Sequence, residues 1–333
     1  MQAKKDGRVN IRDVATKAGV STATVSRYIN DGVVSDATRE RVESAIRETG
    51  YVPNICARGV FGNKYKTIGF MVSNINNPFF TQLASEIEKY AFQHGYAMYL
   101  CSTDDDVAKE RYYIDRLEGY RVDGVITSRT MCKDEYRRWG IPVVSFENEI
   151  SDDVFSVSTN NYAGGRMAAR HLIERGCRRL LHVTGPTRFE AVLQRRDGFL
   201  TACAEAGLKA ATVKLDYDIQ FDAAKYEVLH EVDWRQYDGV FIFNDITAVM
   251  VVKEIQRRGR AIPDEIKVVG YDNSFISAVI TPSLTTLEQP FQDIAATLVG
   301  HLIQMIDGHE LTDRRKVFEP RLIERASTGA AAG

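Results

Sequence analysis

Val9-Asn-Ile-Arg-Asp-Val-Ala-Thr-Lys-Ala-Gly-Val-Ser-Thr-Ala-Thr-Val-Ser-Arg-Tyr-Ile-Asn30 is the stretch from which the rest of the chain is read. Ile11, Val14, Ala15 and Ala18 recur at helical spacing and the run stops at Gly19, so one short helix ends there. Ser21 suits the N-cap of a second helix with Val25 and Ile29 inward and Asn30-Asp31-Gly32 as its stop. Only Gly19-Val20-Ser21 separates the two. This is the spacing of a helix-turn-helix, whose second helix enters the major groove while the first braces it across the backbone. Ala15 and Gly19 leave room for the crossing, and glycine tolerates a positive φ. A third helix, capped by Ser35 and packed through Val42, Ala45 and Ile46, is expected to end near Gly50. On the outward face Thr22, Ala23 and Arg27 stand where a recognition helix meets base edges, and Arg27 suits a bidentate contact to guanine. Ser21, Thr24, Ser26 and Tyr28 suit phosphate contacts, which position the module without reading sequence.

Charge supports that reading. The 333 residues carry a net charge of only -2, but residues 1–66 hold 12 Lys and Arg against 7 Asp and Glu, leaving 31 against 38 for the remainder. A basic head on an acidic body is the footprint of a nucleic-acid-binding module attached to a part that must not bind nucleic acid. Five dispersed cysteines without a C-x-x-C pair exclude a disulfide framework or zinc cluster, and six scattered histidines give no metal spacing. No apolar run approaches the ~18 residues of a membrane span, and the charged N-terminus does not read as a signal peptide, so a cytoplasmic protein is expected.

From Thr67 the pattern changes to short apolar runs: 68–72, 97–100, 124–126, 143–146, 180–183, 240–243 and 268–271. Amphipathic stretches such as 79–94, 161–175, 190–206 and 245–258 fall between them. Strand-helix-strand order with fully apolar strands predicts parallel sheets covered on both faces, and a break near Asn160 suggests two similar subdomains. Ligands of open α/β sheets bind beyond the carboxyl ends of the strands. There the sequence puts Asn77, Phe79 and Phe80, then Arg195, Asn244-Asp245, Asp272-Asn273 and Gln289. Amides and charged groups suit bidentate recognition of sugar hydroxyls, and the aromatic faces suit stacking against a sugar ring or a base.

Between head and body, Pro53 breaks the third helix and Asn54 can cap a very short fourth, marginal unless docked on DNA and on a second copy. With I-x-D-V-A-x-x-A-G-V-S-x-x-T-V-S-R-x-x-N and Y-x-P-N-x-x-A-R, residues 9–62 resemble the head of the lactose-repressor family. Further on, N-P-F-F, G-G-x-x-A-x-x-L-I-x-x-G (Gly164–Gly176), R-x-x-G-F (Arg195–Phe199), N-D-x-x-A (Asn244–Ala248), G-Y-D-N and P-x-L-T-T-x-x-Q-P extend the resemblance over nearly the whole chain. The resemblance implies a hinge helix carrying Asn54, Ala57 and Arg58 in the minor groove of a palindromic operator, with Val60 wedged between base pairs. Gly59 and Val60 depart from the family's usual leucine without a neighbouring glycine, implying a smaller wedge on a looser hinge.

The resemblance further implies a core like the periplasmic sugar-binding proteins: three crossovers, and a cleft in which Arg195, Asp245 and Asp272 grip an effector. Asn160 stands where the family usually has aspartate and Glu147-Asn148 where Asp-Arg is common, which places Glu147 and Asn160 on the cleft and implies a ligand other than a common hexose.

The expected fold class is α/β: an all-α helix-turn-helix head plus a periplasmic-binding-protein-like core of two doubly wound parallel-sheet subdomains. The expected organisation is 1–53 for the DNA-binding head and 54–66 for the hinge. The two core subdomains take 67–160 plus 291–318, and 161–290 plus 319–328. No phosphate loop, dinucleotide fingerprint or nucleophile elbow is present, so an enzyme is not expected, nor any cofactor or metal. The expected function is that of a homodimeric repressor of a carbohydrate-utilisation operon, switched by a sugar-like effector. A purine-like corepressor or a protein partner is the competing mode of control, and a sugar carrier without DNA binding the remote alternative. The C-terminus carries no leucine heptads, so no coiled-coil tetramer is expected.

Overall fold

In the computed structural model, which describes residues 9–30, 32–52, 64–128, 130–215 and 223–329, Asn10 opens helix α1 (Ile11–Ala18) with a capping box. Its side chain accepts the Arg12 and Asp13 amides while Asp13 accepts the Asn10 amide at 2.9 Å. Gly19 closes the helix in the left-handed region, φ +65°, where a side chain would be strained. Ser21 then caps α2 (Thr22–Ile29), accepting the Thr24 amide at 3.1 Å. Ser35 precedes α3 (Asp36–Thr49) without a side-chain bond to a helix amide, its hydroxyl lying 2.9 Å from that of Thr38. Val14, Ala15, Ala18, Val25, Val42 and Ala45 are buried together, with Ile11, Ile29 and Ile46 packed around them. The expected hinge residues Asn54, Ala57, Arg58 and Val60 lie outside the described residues.

By its contacts the chain forms two units, Met1–Thr67 and Ile68–Gly333. The second unit is built on two six-stranded sheets. Its strands are β1 (Thr67–Val72), β2 (Ala97–Ser102), β3 (Gly124–Ser128), β4 (Val143–Phe146), β5 (Phe155–Thr159), β6 (Leu180–Thr184), β7 (Ala210–Lys214), β8 (Gly239–Ile242), β9 (Lys267–Asp272), β10 (Thr285–Glu288), β11 (Arg315–Phe318) and β12 (Arg321–Ile323). The first sheet runs β11-β5-β4-β3-β1-β2 and the second β12-β10-β9-β8-β6-β7. The pairings from β11 through β5, β4 and β3 to β1, and from β10 through β9, β8 and β6 to β7, are parallel, and the edge strand β12 runs antiparallel to β10.

Helices cover both faces of each sheet, so strands such as β3, β4, β6 and β8 are buried on both sides. Phe70, Ile126, Val144 and Val157 pack on α4 (Pro78–Gln93) and α11 (Phe291–Ile306) through Leu83, Ile87, Leu298 and Leu302. Met71, Val125 and Val143 face α5 (Val107–Gly119) and α6 (Lys133–Arg138) through Ile114, Leu117 and Tyr136. In the second lobe Val183, Val240, Ile242 and Val268 lie against Val251 and Ile255 of α9 (Asp245–Arg257). Its other face sets Phe241, Val269 and Tyr271 against Leu172 of α7 (Asn161–Glu174) and Phe199 of α8 (Glu190–Glu205). A short α10 (Phe275–Val279) follows β9.

The chain passes between lobes three times, after β5, after β10 and between β11 and β12. Helices α7 and α8 touch backbone to backbone: a Cβ on Gly165 would lie 2.0 Å from the Arg195 carbonyl oxygen, and one on Gly198 2.0 Å from that of Tyr162. No described helix is long and apolar enough to cross a membrane.

Candidate DNA-binding face and ligand cleft

On α2 the exposed outward residues are Thr22, Ala23 and Arg27, with Val25 fully buried beneath them. Ser21 and Thr24 are tied together at the cap, their hydroxyls 2.9 Å apart, and Ser26 is half-buried with its hydroxyl accepting from Asn30 Nδ2 at 3.4 Å. Tyr28 is turned toward α3, where its hydroxyl donates to Glu43 at 3.0 Å and Arg39 lies over its ring. Partial burial and the Glu43 carboxylate push that phenol above its ordinary pKa.

In the core, the carboxyl ends of both sheets face a narrow cleft with about 20 Å³ of free space, lined by Asn77, Phe79, Phe80, Ser128, Phe146, Glu147, Ala191, Arg195, Asn244, Asp272 and Gln289. Eight of the residues expected there, Asn244 among them, are thereby brought together. Asn77 caps α4, accepting the Phe79 amide at 3.0 Å, with Pro78 pre-set for the first turn. Phe79 and Phe80 are largely sunk into the first lobe, Phe79 stacking on Phe146 at 5.7 Å, so they form an apolar wall rather than open faces.

The polar side is a continuous circuit through both lobes and their crossovers. Glu147 accepts the Thr159 amide at 2.8 Å and the Asn161 side-chain amide at 2.7 Å. Asn161 in turn accepts from Arg195 Nε at 2.7 Å, while Arg195 also donates to the Phe243 carbonyl at 2.7 Å. The guanidinium lies 3.7 Å above the Tyr271 ring and 3.7 Å from the Asp272 carboxylate. Gln289 donates to Asp272 at 2.8 Å and accepts from the Thr159 hydroxyl at 2.8 Å, which closes the circuit. Two buried polar atoms on the lining, Asn244 Nδ2 and Ser128 Oγ, have no partner among the described residues. Such atoms are costly to bury unless something else bonds them. At the mouth, Arg188 of the second lobe pairs with Asp105 of the first at 3.2 Å, and the Phe275 amide donates to Gln82 at 3.0 Å.

Asp245 and Asn160 stand elsewhere than expected. Asp245 is fully buried behind the cleft, its carboxylate accepting the Ser274 amide at 2.8 Å and the Thr286 hydroxyl at 2.6 Å. Asn160 is the N-cap of α7, accepting the Ala163 amide at 3.1 Å and donating to Glu319 at 2.9 Å. Capping residues and ligand-binding residues are the same polar types at the same strand-to-helix junctions, so the sequence does not separate them. Beside them, Asn244 lines the cleft, and Asn161, which does not, links Glu147 to Arg195. Ser128, Phe146 and Ala191 also line the cleft; each falls at a strand end or helix start, and none has a side chain that would mark it out by type.

A head with an exposed recognition helix and a core with a polar cleft between two lobes define a ligand-responsive DNA-binding regulator. Residues 10–54 match the model of bacterial regulatory proteins, lacI family, and residues 169–328 that of a periplasmic binding protein-like domain. A ribose operon repressor of Halalkalibacterium halodurans is 35% identical over 320 residues, 96% of each chain. Among solved structures, a periplasmic binding protein/LacI transcriptional regulator from Alkaliphilus metalliredigens complexed with D-xylulofuranose is 45% identical with a TM-score of 0.75, covering 80% of this chain and 100% of that one. The lac repressor dimer bound to operator and the anti-inducer ONPF is 25% identical with a TM-score of 0.83, covering 97% of this chain and 100% of that one. The chain belongs to the lacI family and is a DNA-binding transcriptional regulator, not an enzyme.

Proposed function

We propose that this regulator represses a carbohydrate-utilisation operon and that a monosaccharide of furanose size, bound between the lobes, switches its affinity for a palindromic operator. The observation that carries this reading is the cleft itself. Arg195, Asp272 and Gln289 offer donors and acceptors in a fixed array, Asn244 Nδ2 and Ser128 Oγ are buried without a described partner, and Phe79, Phe80 and Phe146 supply the apolar wall. A ring rimmed with hydroxyls satisfies both kinds of surface. The ribose repressor and the D-xylulofuranose complex among the relatives point to the same ligand class.

Thr22, Ala23 and Arg27 read base edges in this account, and Ser21, Thr24 and Ser26 hold phosphates. One recognition helix covers one half-site, so a palindrome requires two copies of the chain. Tyr99 and Leu100 on the exposed edge strand β2, with the Tyr120 ring tilted against that of Tyr99 at 5.5 Å, give the first lobe an apolar surface for the second copy.

The reading is tested by a thermal-shift screen of the full chain against D-xylulose, D-ribose, D-fructose, sugar phosphates and nucleobases. A ligand that binds only the native state raises its melting temperature. A shift with a free sugar supports the proposal; a shift confined to nucleobases moves the assignment to a purine-like corepressor, and no shift across the panel moves it to a protein partner.

A further inference from the structure

Asp272 has an unusual backbone for an acidic residue: φ is +114°, followed by +53° at Asn273. Non-glycine residues rarely occupy these regions, and such conformers persist only where the surroundings over-determine them. The surroundings are specific. The hydroxyl of Thr286 on β10 accepts the Asn273 amide at 3.3 Å and donates to Asp245 at 2.6 Å, so one proton fixes the direction of both bonds. The second oxygen of Asp245 accepts the next amide in the loop, Ser274, at 2.8 Å, and its hydroxyl at 3.2 Å. From the other side Arg325, in the C-terminal segment, donates to the Asn273 side-chain oxygen at 2.6 Å, to Ser277 at 2.9 Å and to the Leu284 carbonyl at 2.8 Å. Glu288 accepts a hydrogen bond from Asn273 Nδ2 at 2.9 Å.

None of Asp245, Thr286 and Arg325 lines the cleft. Each nevertheless acts on the short segment that aims Asp272 at Gln289 and Arg195. Gly270 belongs to the same device, since a Cβ there would lie 2.3 Å from the Asp245 carboxylate oxygen. We propose that Asp245, Thr286 and Arg325 are positioning residues for the effector site, holding the left-handed Asp272–Asn273 turn so that the Asp272 carboxylate is pre-set for its ligand. The proposal rests on the reading of Asp272 as an effector contact, and it makes ligand affinity depend on residues that no ligand touches.

Thr286→Val removes the hydroxyl with little change of shape, and Thr286→Ser keeps it. Hydrogen-exchange mass spectrometry of the full chain reads the turn without any ligand. Faster exchange over residues 271–275 in Thr286→Val, restored to the wild-type rate in Thr286→Ser, is the expected result. Wild-type exchange there in Thr286→Val overturns the proposal. Calorimetric titration with D-xylulose then reads the functional consequence: about tenfold weaker binding by Thr286→Val, the cost of leaving a buried donor unpaired. In the background of Asp272→Ala the second substitution should cost nothing further. Equal binding by wild type and Thr286→Val contradicts the positioning role. Failure of the wild type to bind D-xylulose, or wild-type binding by Asp272→Ala, counts against the cleft reading instead, and the exchange experiment then decides the positioning role alone.

Discussion

Arg195 shows how one side chain serves both the fold and the ligand. It is almost wholly buried, bonded to Asn161 and the Phe243 carbonyl, stacked on Tyr271 and close to Asp272. Breaking a buried ionic pair by deleting one member costs about 3–5 kcal/mol, because the other charge is left uncompensated. Arg195→Ala is therefore expected to lower core stability in denaturant titration by an amount of that order and to abolish the response to sugar, while operator affinity measured without sugar stays near wild type. His182 is a residue of the opposite kind, buried away from the cleft between Phe199 and Phe241, with Nδ1 against the Phe241 carbonyl. Burial lowers its pKa from 6.5 to about 3. The unfolded chain thus binds a proton below pH 6.5 that the native chain refuses until about pH 3, and stability falls with falling pH across that window. The slope is about 1.4 kcal/mol per pH unit. His182→Phe should remove one proton's worth of that dependence in urea titrations at pH 6 and pH 4; an unchanged slope would show that His182 is not the group responsible.

At the scale of elements, the close contact of α7 with α8 carries Arg195 to the cleft. A side chain on either facing glycine would meet backbone rather than a movable neighbour. Gly198→Ala is expected to cost about 1–3 kcal/mol through forced separation of the helices and to weaken sugar binding with it. Melting temperature and titration on the same sample check this, and wild-type values of both would refute the close-contact argument. The glycines stand in the motifs that carry the family resemblance, and the cap Ser21 and strands β1–β4, β6, β8 and β9 were legible from residue type and spacing. The edges were not. Strands β11 and β12 are short and largely exposed, so no apolar run marks them, and β7 alternates too weakly to stand out. In the cleft, the loops were located correctly by the rule for strand carboxyl ends. Which residues reach the cleft was not legible at Asn160 and Asn161 or at Asn244 and Asp245, because both Asn160 and Asn244 cap a helix and only Asn244 also lines the cleft.

For the whole molecule, the cleft circuit matters because it includes the crossovers. Thr159 and Gln289 sit where the chain passes between lobes, so a ligand that engages Asp272 and Gln289 acts on the connections as well as on the walls. The Arg188–Asp105 pair and the Phe275–Gln82 bond span the mouth and are made only when the lobes are close. A sugar that touches both lobes binds this arrangement better than an open one, and that difference sets how far it can shift the protein. Coupling between two sites is usually worth about 1–3 kcal/mol, a change of about 5- to 150-fold in affinity.

The central claim is that a sugar in this cleft controls DNA binding through the residues named. The direct test is fluorescence anisotropy of a labelled palindromic duplex, selected by the protein from a random pool, titrated with wild type and Asp272→Ala in the presence and absence of the sugar found in the screen. The account predicts that the sugar changes the operator Kd of the wild type by at least about fivefold and leaves that of Asp272→Ala unchanged. The same shift in both proteins, or none in the wild type, would contradict it.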